Sequence, residues 1–571
     1  MNTTRPATPW DAARPARGRN MKRFIEKYKG EEYDIVVIGG GITGAAVAYD
    51  AASRGLKVAL LEKNDFGWAT SAATSKLIHG GLRYLNNMEF GLVRESLRER
   101  RILENIAPNL VYPIPFMVPN YHKFKNNKWI IKIGLTLYDI LSFDKKWTWD
   151  KSKRIPNHSS YSKKKVMTME PNVRKLGLTG AALYYDCQSI FPERLTLAFV
   201  KSAESYGAHV ANYARVLDFL YSDGKGVAGV KVQDILTGKT VEVKARLTIN
   251  CAGPWADIVL NLAQKGNGNH HIRRSEGIHL ILKNAVEKNA VTMLTPGGRH
   301  FFVVPWRGHS LVGTTDKEYV GNPDEYHVSR ASIEEFITEI NGSFGDGGIS
   351  YKDVQYAYGG LRPLVDTQTE GTYKSSRKYE IYNNALQGFE GLITVEGGKY
   401  TTSRKLAVNV LKMVQVKLKT RLPRSTTALE YLKGCEIEDM AGFLDRARKQ
   451  NPDFSIKTLE YLARNYGTEY NAVLELARAD KKLAQQVSAD GEILAEVVYA
   501  VRVECARTLS DIMLRRTGTG TLGYPGDKIM KLVAAVAAKE LKWDAARVRK
   551  EIASVKAQLV LPNGEKGAKK R

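Results

Sequence analysis

The hydrophobic pattern near the amino terminus predicts a strand, a helix and a second strand in close succession. Asp34–Ile38 is rich in β-branched residues, as expected of a strand that is buried on both faces. It leads directly into a glycine-rich turn at residues 39–44 and then into an alanine-rich helical stretch. Residues 57–61 form the second predicted strand, with Glu62 at its end. This order is that of a complete βαβ unit.

The glycines and the acidic residue of this unit have separate roles in binding a dinucleotide. Gly39 allows the tight turn, Gly41 lets a pyrophosphate approach the backbone, and Gly44 lets the helix pack closely on the strand. The helix N-terminus offers free N–H groups to the phosphates. Glu62 can accept hydrogen bonds from the adenosine ribose and would repel a 2′-phosphate. The unit alone does not separate FAD from NAD.

Two later segments favour FAD. Residues 247–255 form a strand that runs into a turn of small residues, and residues 391–399 form another strand that ends at a glycine pair. Such returns to the cofactor domain suit a long ligand that lies across the carboxyl ends of a parallel sheet.

Length and charge limit the function classes. A chain of 571 residues is too long for a single hydrophobic core, so two or three domains are predicted. Its net charge of +26 indicates nucleic acid, an anionic lipid surface or an anionic substrate as a partner. No nucleic-acid motif accompanies the charge, and no run of about 18 apolar residues predicts a membrane span. The four scattered cysteines indicate neither a disulfide framework nor a metal site.

Two segments carry much of the positive charge. Residues 1–30 are predicted to be a flexible basic leader, with a mitochondrial transit peptide as the alternative. Residues 121–176 contain 14 Lys and Arg against 4 Asp and Glu. Aromatic residues are interleaved with this charge, which predicts docking on anionic lipid, although a solvated basic face with core aromatics is the alternative. These aromatics are Trp129, Tyr138, Phe143, Trp147 and Trp149.

Four motifs make the sequence resemble the flavin-dependent glycerol-3-phosphate dehydrogenases, the respiratory enzymes of bacteria and mitochondria. The resemblance extends over roughly residues 33–530. Phe191–Arg194 departs from the acidic pair usual in the family, and Tyr400 replaces a commoner leucine. The motifs are ATSAATSKLIHGGLRYL at 69–85, the turn at 250–255, VGTTD at 312–316, and GLRPL at 360–364 together with GGKYTT at 397–402.

The resemblance implies an α/β (α+β) fold of several parts. A Rossmann-like FAD-binding domain of the glutathione-reductase/D-amino-acid-oxidase type is expected from residues 31–115, 180–265 and 355–420. Residues 116–179 are expected to be a basic aromatic insertion, residues 266–354 an antiparallel-sheet substrate domain, and residues 425–571 a C-terminal helical domain.

The resemblance also implies which residues form the site. Arg83, Arg362 and Arg377 are candidates for the substrate phosphate, because guanidinium groups bind oxygen pairs and keep their charge. His279 is the candidate base. The remaining candidate catalytic residues are Lys399, His79 and Tyr84. The residues expected to bind FAD are Gly39, Gly40, Gly41, Thr43, Gly44, Glu62, Thr70, Ser71, Ser75, Lys76, Leu77, His79, Gly81, Ala252, Gly253, Trp255, Arg362, Gly398, Lys399, Tyr400, Thr401 and Thr402.

The implied reaction is oxidation of sn-glycerol 3-phosphate to dihydroxyacetone phosphate, with hydride passing from C2 to flavin N5 and electrons then to quinone. The alternatives are an oxidase that uses oxygen, a flavin amine or amino-acid oxidase, and an inactive lipid-binding scaffold. Peripheral attachment to the cytoplasmic face of a bacterial membrane or to the mitochondrial inner membrane is implied, and a homodimer is compatible with the resemblance.

Overall fold

A computed structural model describes residues 20–121, 127–222, 226–266, 272–283, 285–286, 288–344, 348–365 and 378–562. The predicted βαβ unit is present as β1 (Tyr33–Ile38), α1 (Ile42–Ala52) and β2 (Val58–Leu61). Apolar residues point to both faces of β1 because it lies in the middle of a parallel sheet.

The parallel sheet is the framework of the cofactor domain. In the described part of the chain its strands follow the order β17-β18-β10-β1-β2-β7, and β8 and β9 extend it as antiparallel strands from β10. The helices α1, α5 and α8 pack together over it. The further elements of this domain are β7 (His209–Ala211), β8 (Ala214–Tyr221), β9 (Val227–Asp234), β10 (Thr240–Asn250), β17 (Tyr379–Asn383), β18 (Leu392–Gly397), α5 (Pro192–Ser205), α6 (Ala256–Ala263) and α8 (Ser403–Leu418).

A second, larger sheet carries the other wall of the site. Its order is β15-β11-β14-β13-β12-β4-β6-β3, with β16 paired to β11 and β5 paired to β6. Its members are β3 (Leu77–Ile78), β4 (Tyr112–Tyr121), β5 (Ser159–Ser162), β6 (Leu178–Gln188), β11 (Arg273–Leu282), β12 (Ala290–Leu294), β13 (His300–Trp306), β14 (His309–Gly313), β15 (Lys317–Tyr319) and β16 (Val354–Leu364). The helices beside it are α2 (Phe90–Ile106), α3 (Lys128–Leu141), α4 (Lys163–Met169) and α7 (Arg330–Asn341).

The described residues after 425 form mainly helices, as expected. They include α9 (Met440–Gln450), α10 (Ile456–Tyr466), α11 (Tyr470–Ala479), α12 (Ala495–Arg502), α13 (Leu509–Asp511), α14 (Asp527–Leu541) and α15 (Ala545–Leu559). Buried ion pairs join this region to the cofactor domain. Arg515 and Arg516 both contact Asp65, which follows β2, at 2.7 and 2.8 Å.

Two expected boundaries differ from the structure. The substrate sheet is not confined to residues 266–354, because β4 and β6 pair along their length and bring the ends of the expected insertion into it. Residues 20–30 of the expected flexible leader pack on the protein: buried Arg23 pairs with Asp234, and the backbone N–H of Met21 donates to the carbonyl oxygen of Val503. Among the described residues, no helix is long and apolar enough to span a bilayer.

Candidate active site

A cavity of about 580 Å³ lies between the two sheets. One end is formed by the turn after β1 and by Glu62, at the carboxyl ends of the parallel strands. The other end is formed by residues of β11, β13 and β16, including His279 and Arg362. The cavity therefore joins the predicted nucleotide site to the predicted substrate site.

Close backbone packing explains the glycines at the nucleotide end. Gly39 has a φ of +105°, in the left-handed region that favours glycine. A Cβ atom at Gly44 would lie 1.8 Å from the carbonyl oxygen of Gly39, so only glycine lets α1 approach the turn. The N–H of Ile42, in the first turn of α1, donates to Ser71 Oγ at 2.9 Å.

Glu62 is fixed by the same turn. Its two carboxylate oxygens accept hydrogen bonds from the backbone N–H groups of Gly40 and Asn64, each at 2.7 Å. Burial raises the pKa of this carboxyl group. The side chain lines the cavity, and Lys63 lies beside it with its ammonium 4.3 Å from the ring centre of Trp255. A ribose bound here would meet an oriented acceptor.

The residues present fit FAD. The turn leaves room for phosphates beside Gly39 and Gly41, and the cavity continues from Glu62 to the far sheet, which is the extended shape that a dinucleotide requires. Among the described residues, no cluster of potential metal ligands is found.

Arg362 is held in place before any substrate binds. Its guanidinium donates to Thr314 Oγ1 at 2.8 Å and to the carbonyl oxygens of Glu276 and Thr315 at 3.2 Å. It lies against the backbone of Gly277, where a Cβ atom would be 2.1 Å from it. These contacts aim a permanently charged group at the cavity.

Two further cations face the same space. The Arg83 guanidinium lies 5.0 Å from the ring centre of Tyr84, and Lys399 Nζ lies 4.2 Å from it. Lys399 also donates to Ser96 Oγ at 2.8 Å. Burial, together with Arg83, lowers the pKa of Lys399 although nearby Tyr84 opposes the shift. The site is thus suited to an anionic ligand.

His279 is buried on β11 and lines the cavity. Its Nε2 atom lies 2.8 Å from Ser75 Oγ, and its ring stacks on Tyr358 with centroids 5.0 Å apart. Burial lowers its pKa far below the usual value, and Arg362 and Lys76 act in the same direction. The imidazole is therefore neutral near pH 7 and can accept a proton.

His79 lies on another side of the same space. Its ring meets Phe302 edge-on with centroids 6.2 Å apart, and its backbone N–H donates weakly to Thr401 Oγ1 at 3.4 Å. Burial lowers the pKa of His79 to about 4, although Asp186 opposes the shift.

Most of the expected site residues line the cavity, but four do not. Gly40 in the turn and Gly44 in the first turn of α1 are not part of the cavity lining, and Thr402 is buried at the start of α8. Lys76 is also buried, where its Nζ pairs with Glu193 at 2.5 Å. These four residues can support the site but do not face it. Arg377 lies outside the described residues.

Two residues of the cavity wall are not among those predicted from the sequence. Arg299 and His300 line the cavity at the start of β13. Arg299 is braced by Glu339 and donates to the carbonyl of Thr314. Burial and Arg83 lower the pKa of His300 to about 4. In the sequence, Arg299 and His300 are a basic pair directly before the apolar residues of a strand. Such a pair is typical of an ordinary polar turn, so it does not by itself indicate a site.

Comparisons with known proteins identify the family of this chain. The pattern of the FAD dependent oxidoreductase family matches residues 34–404, and that of the C-terminal domain of alpha-glycerophosphate oxidase matches residues 425–548. The chain is 35% identical to a glycerol-3-phosphate dehydrogenase of Synechocystis sp. over 87% of this chain and 90% of that protein. An aerobic glycerol-3-phosphate dehydrogenase of Bacillus subtilis is 34% identical, with 87% and 89% covered.

The chain belongs to the flavin-dependent glycerol-3-phosphate dehydrogenase family.

A solved structure of this family has the same architecture. The glycerol-3-phosphate dehydrogenase from Bacillus halodurans, complexed with FAD, matches with a TM-score of 0.75 and 27% identity over 94% of this chain and 96% of that one. The L-alpha-glycerophosphate oxidase from Mycoplasma pneumoniae matches with a TM-score of 0.52 and 17% identity, which shows a shared fold only. The expectations of the family, of FAD and of the fold class are confirmed.

Proposed function

We propose that this chain uses bound FAD to oxidise sn-glycerol 3-phosphate to dihydroxyacetone phosphate and passes the electrons to a quinone. One observation supports the proposal: cationic Arg83, Arg362 and Lys399 and the neutral, buried His279 line one cavity, with Arg362 close enough to His279 to lower its pKa. A phosphorylated alcohol needs this combination, because its phosphate requires fixed positive charge and its hydroxyl requires a base.

Arg362 and Arg83 would bind the phosphate. The hydrogen bonds of Arg362 to Thr314 and to two backbone carbonyls fix its orientation, so little conformational entropy is lost when substrate binds. Arg299 is fixed by Glu339 and adds positive charge to the same wall.

His279 would take the proton of the C2 hydroxyl at Nε2. Among the described residues, none hydrogen-bonds its Nδ1 atom, while Ser75 Oγ lies beside Nε2. With the ring proton on Nδ1, Nε2 is the acceptor. Because burial, Arg362 and Lys76 lower the pKa of His279 and disfavour a charged imidazole, we expect the proton to leave before the next turnover.

FAD, when bound, supplies the acceptor for the hydride that leaves C2. Lys399 and the backbone at Tyr400 and Thr401, directly before α8, lie at the cavity wall and add positive charge there.

The surface around α3 supports the membrane and quinone part of the proposal. The exposed apolar residues of this helix and of the turn after it include Trp129, Ile133, Ile140, Phe143 and Trp147, each more than 60% exposed. Lys128 and Lys132 lie on the same helix, which suits anionic lipid. Ile131 and Gly134 of α3 line the cavity, so this surface adjoins the reaction site.

One aromatic residue of the predicted docking segment is not on that surface. Tyr138 is 2% exposed, because its position on α3 faces the protein core rather than solvent. Fewer aromatic residues are therefore available for contact with lipid than the sequence pattern predicted.

Rapid mixing tests the proposal. Anaerobic addition of glycerol 3-phosphate should bleach the flavin band of the purified protein, whereas glycerol at the same concentration should bleach it far more slowly. Reduced protein mixed with a short-chain quinone should then reoxidise faster than with oxygen. An unbleached flavin would reject the substrate, and fast reoxidation by oxygen alone would indicate an oxidase.

A further inference from the structure

A buried carboxylate lies behind the cavity, outside the set of residues that line it. Asp186, on β6, is 1% exposed, and it is surrounded by groups from three other elements. Arg100 of α2 donates to its Oδ1 atom at 2.6 Å, and the hydroxyl of Tyr138 on α3 donates to its Oδ2 atom at 2.7 Å. The backbone N–H of Gly80 points to Oδ1 at 3.3 Å.

Gly80 connects this cluster to the reaction site. It lies between His79 and Gly81, which both line the cavity. Gly81 has a φ of +77°, and a Cβ atom there would lie 3.7 Å from Lys399 Nζ. The position of the 79–81 turn therefore sets the position of the groups that face the cofactor and the substrate.

Tyr138 packs directly on this turn. A Cβ atom at Gly80 would lie 2.3 Å from the Tyr138 hydroxyl oxygen and 2.5 Å from Leu97. The hydroxyl thus touches the turn backbone and binds the carboxylate that holds the same backbone. Burial and Asp186 raise the pKa of Tyr138 well above its usual value, so the hydroxyl stays a donor throughout the working pH range.

We propose that Asp186 and Tyr138 are positioning residues, which fix the 79–81 turn against the cavity and tie it to the surface helix α3. Neither side chain touches the reacting groups. Each acts through Gly80, as partners behind a site orient the groups that face it. The kinetic test of this inference rests on the proposed function. The spectroscopic test, which is the circular dichroism of bound flavin, does not depend on that function.

Tyr138→Phe is the decisive variant because it removes one hydroxyl and leaves the ring packing. The freed turn should change the visible circular dichroism of bound flavin and lower kcat per bound flavin on the order of tenfold, with a smaller change in KM. Asp186→Asn should do the same more strongly, although it leaves the buried Arg100 guanidinium without an opposite charge and can impair folding.

Tyr466→Phe is the matched control. Tyr466 is equally buried, its hydroxyl donates to Oε1 of the Glu496 carboxyl group at 2.9 Å, and it lies in the C-terminal helical region. We expect a similar loss of stability with unchanged flavin dichroism and unchanged kcat per bound flavin.

Two results would overturn the inference. One is a Tyr138→Phe protein with wild-type dichroism and kcat per bound flavin. The other is an equal effect in Tyr466→Phe, which would show general destabilisation. If glycerol 3-phosphate fails to reduce even the wild-type flavin, the proposed function is wrong, yet the dichroism of the oxidised proteins still tests the positioning role.

Discussion

His279 Nε2 and Ser75 Oγ lie 2.8 Å apart at the wall of the cavity, on strand β11 and in the loop before β3 respectively. Gly313 makes this arrangement possible, since a Cβ atom there would lie 2.1 Å from the imidazole. A buried, neutral histidine with one hydroxyl neighbour is suited to take a proton from substrate.

His279→Asn should therefore lower kcat by about 10²- to 10⁴-fold while flavin content stays normal. Because the pKa of His279 is depressed, wild-type kcat/KM should not fall as pH drops through 6.5 on account of this residue. Ser75→Ala, which removes only the neighbouring hydroxyl, should have a much smaller effect. Steady-state kinetics with a soluble dye acceptor measures both, and a nearly normal kcat in His279→Asn would reject it as the base.

Gly44→Ala should abolish flavin binding. The new Cβ would meet the Gly39 carbonyl oxygen at 1.8 Å, and neither backbone segment can move without opening the phosphate turn. Gly91→Ala is the control, since a Cβ there meets nothing within 4 Å and alanine favours the helix. The ratio of flavin to protein absorbance measures the result. A yellow Gly44→Ala protein would contradict the assignment of the turn at residues 39–44 to flavin binding.

Arg362→Ala should lower kcat/KM for glycerol 3-phosphate by about 30- to 700-fold, which corresponds to about 2–4 kcal/mol for one buried charge-assisted partner. The loss should appear mainly in KM. Arg330→Ala removes an exposed arginine that pairs with Glu334 on α7 and should leave the kinetics unchanged. Residual activity with glycerol, which lacks the phosphate, should not change in Arg362→Ala; an equal loss there would assign the arginine another role.

Trp129→Ser combined with Ile133→Ser should weaken sedimentation with anionic vesicles, because two exposed apolar side chains of α3 are removed. Neutralising Lys163, Lys164 and Lys165 should weaken it further, by about 1 kcal/mol per charge, without altering flavin content. Val320→Ser with Leu386→Ser removes two apolar groups elsewhere that are even more exposed, and is the control. Unchanged vesicle binding in the α3 variant would remove that helix from the docking surface.

The sequence could predict what is encoded locally. The turn at Gly39–Gly44 and the acid at Glu62 are recognisable because their spacing within one βαβ unit determines their contacts. The extent of the second sheet was not predictable in this way, because the pairing of β4 with β6 joins segments that are more than 50 residues apart. Arg299 and His300 were missed although β12 and β13 form a local hairpin, because the proximity of His300 to Arg83, more than 200 residues earlier in the chain, arises only in the folded protein.

His300 should make the folded protein sensitive to acid. Its pKa is about 4 in the fold, because of burial and Arg83, against about 6.5 in an unfolded chain. As pH falls below 6.5 the unfolded chain therefore binds a proton before the native protein does. The stability that depends on the neutral imidazole is complete above pH 6.5 and is lost progressively down to about pH 4. Between pH 7.5 and 5.5 this loss is about 1 kcal/mol.

His300→Gln keeps a polar side chain but removes the titration, so its free energy of unfolding should fall less over the same pH interval. Urea unfolding of both FAD-loaded proteins at pH 7.5 and 5.5 measures the difference. The comparison at pH 7.5, where the imidazole is neutral in both states, isolates any packing change. Identical pH dependence in the two proteins would mean that His300 is not held neutral by the cavity wall, and that Arg83 does not oppose its protonation.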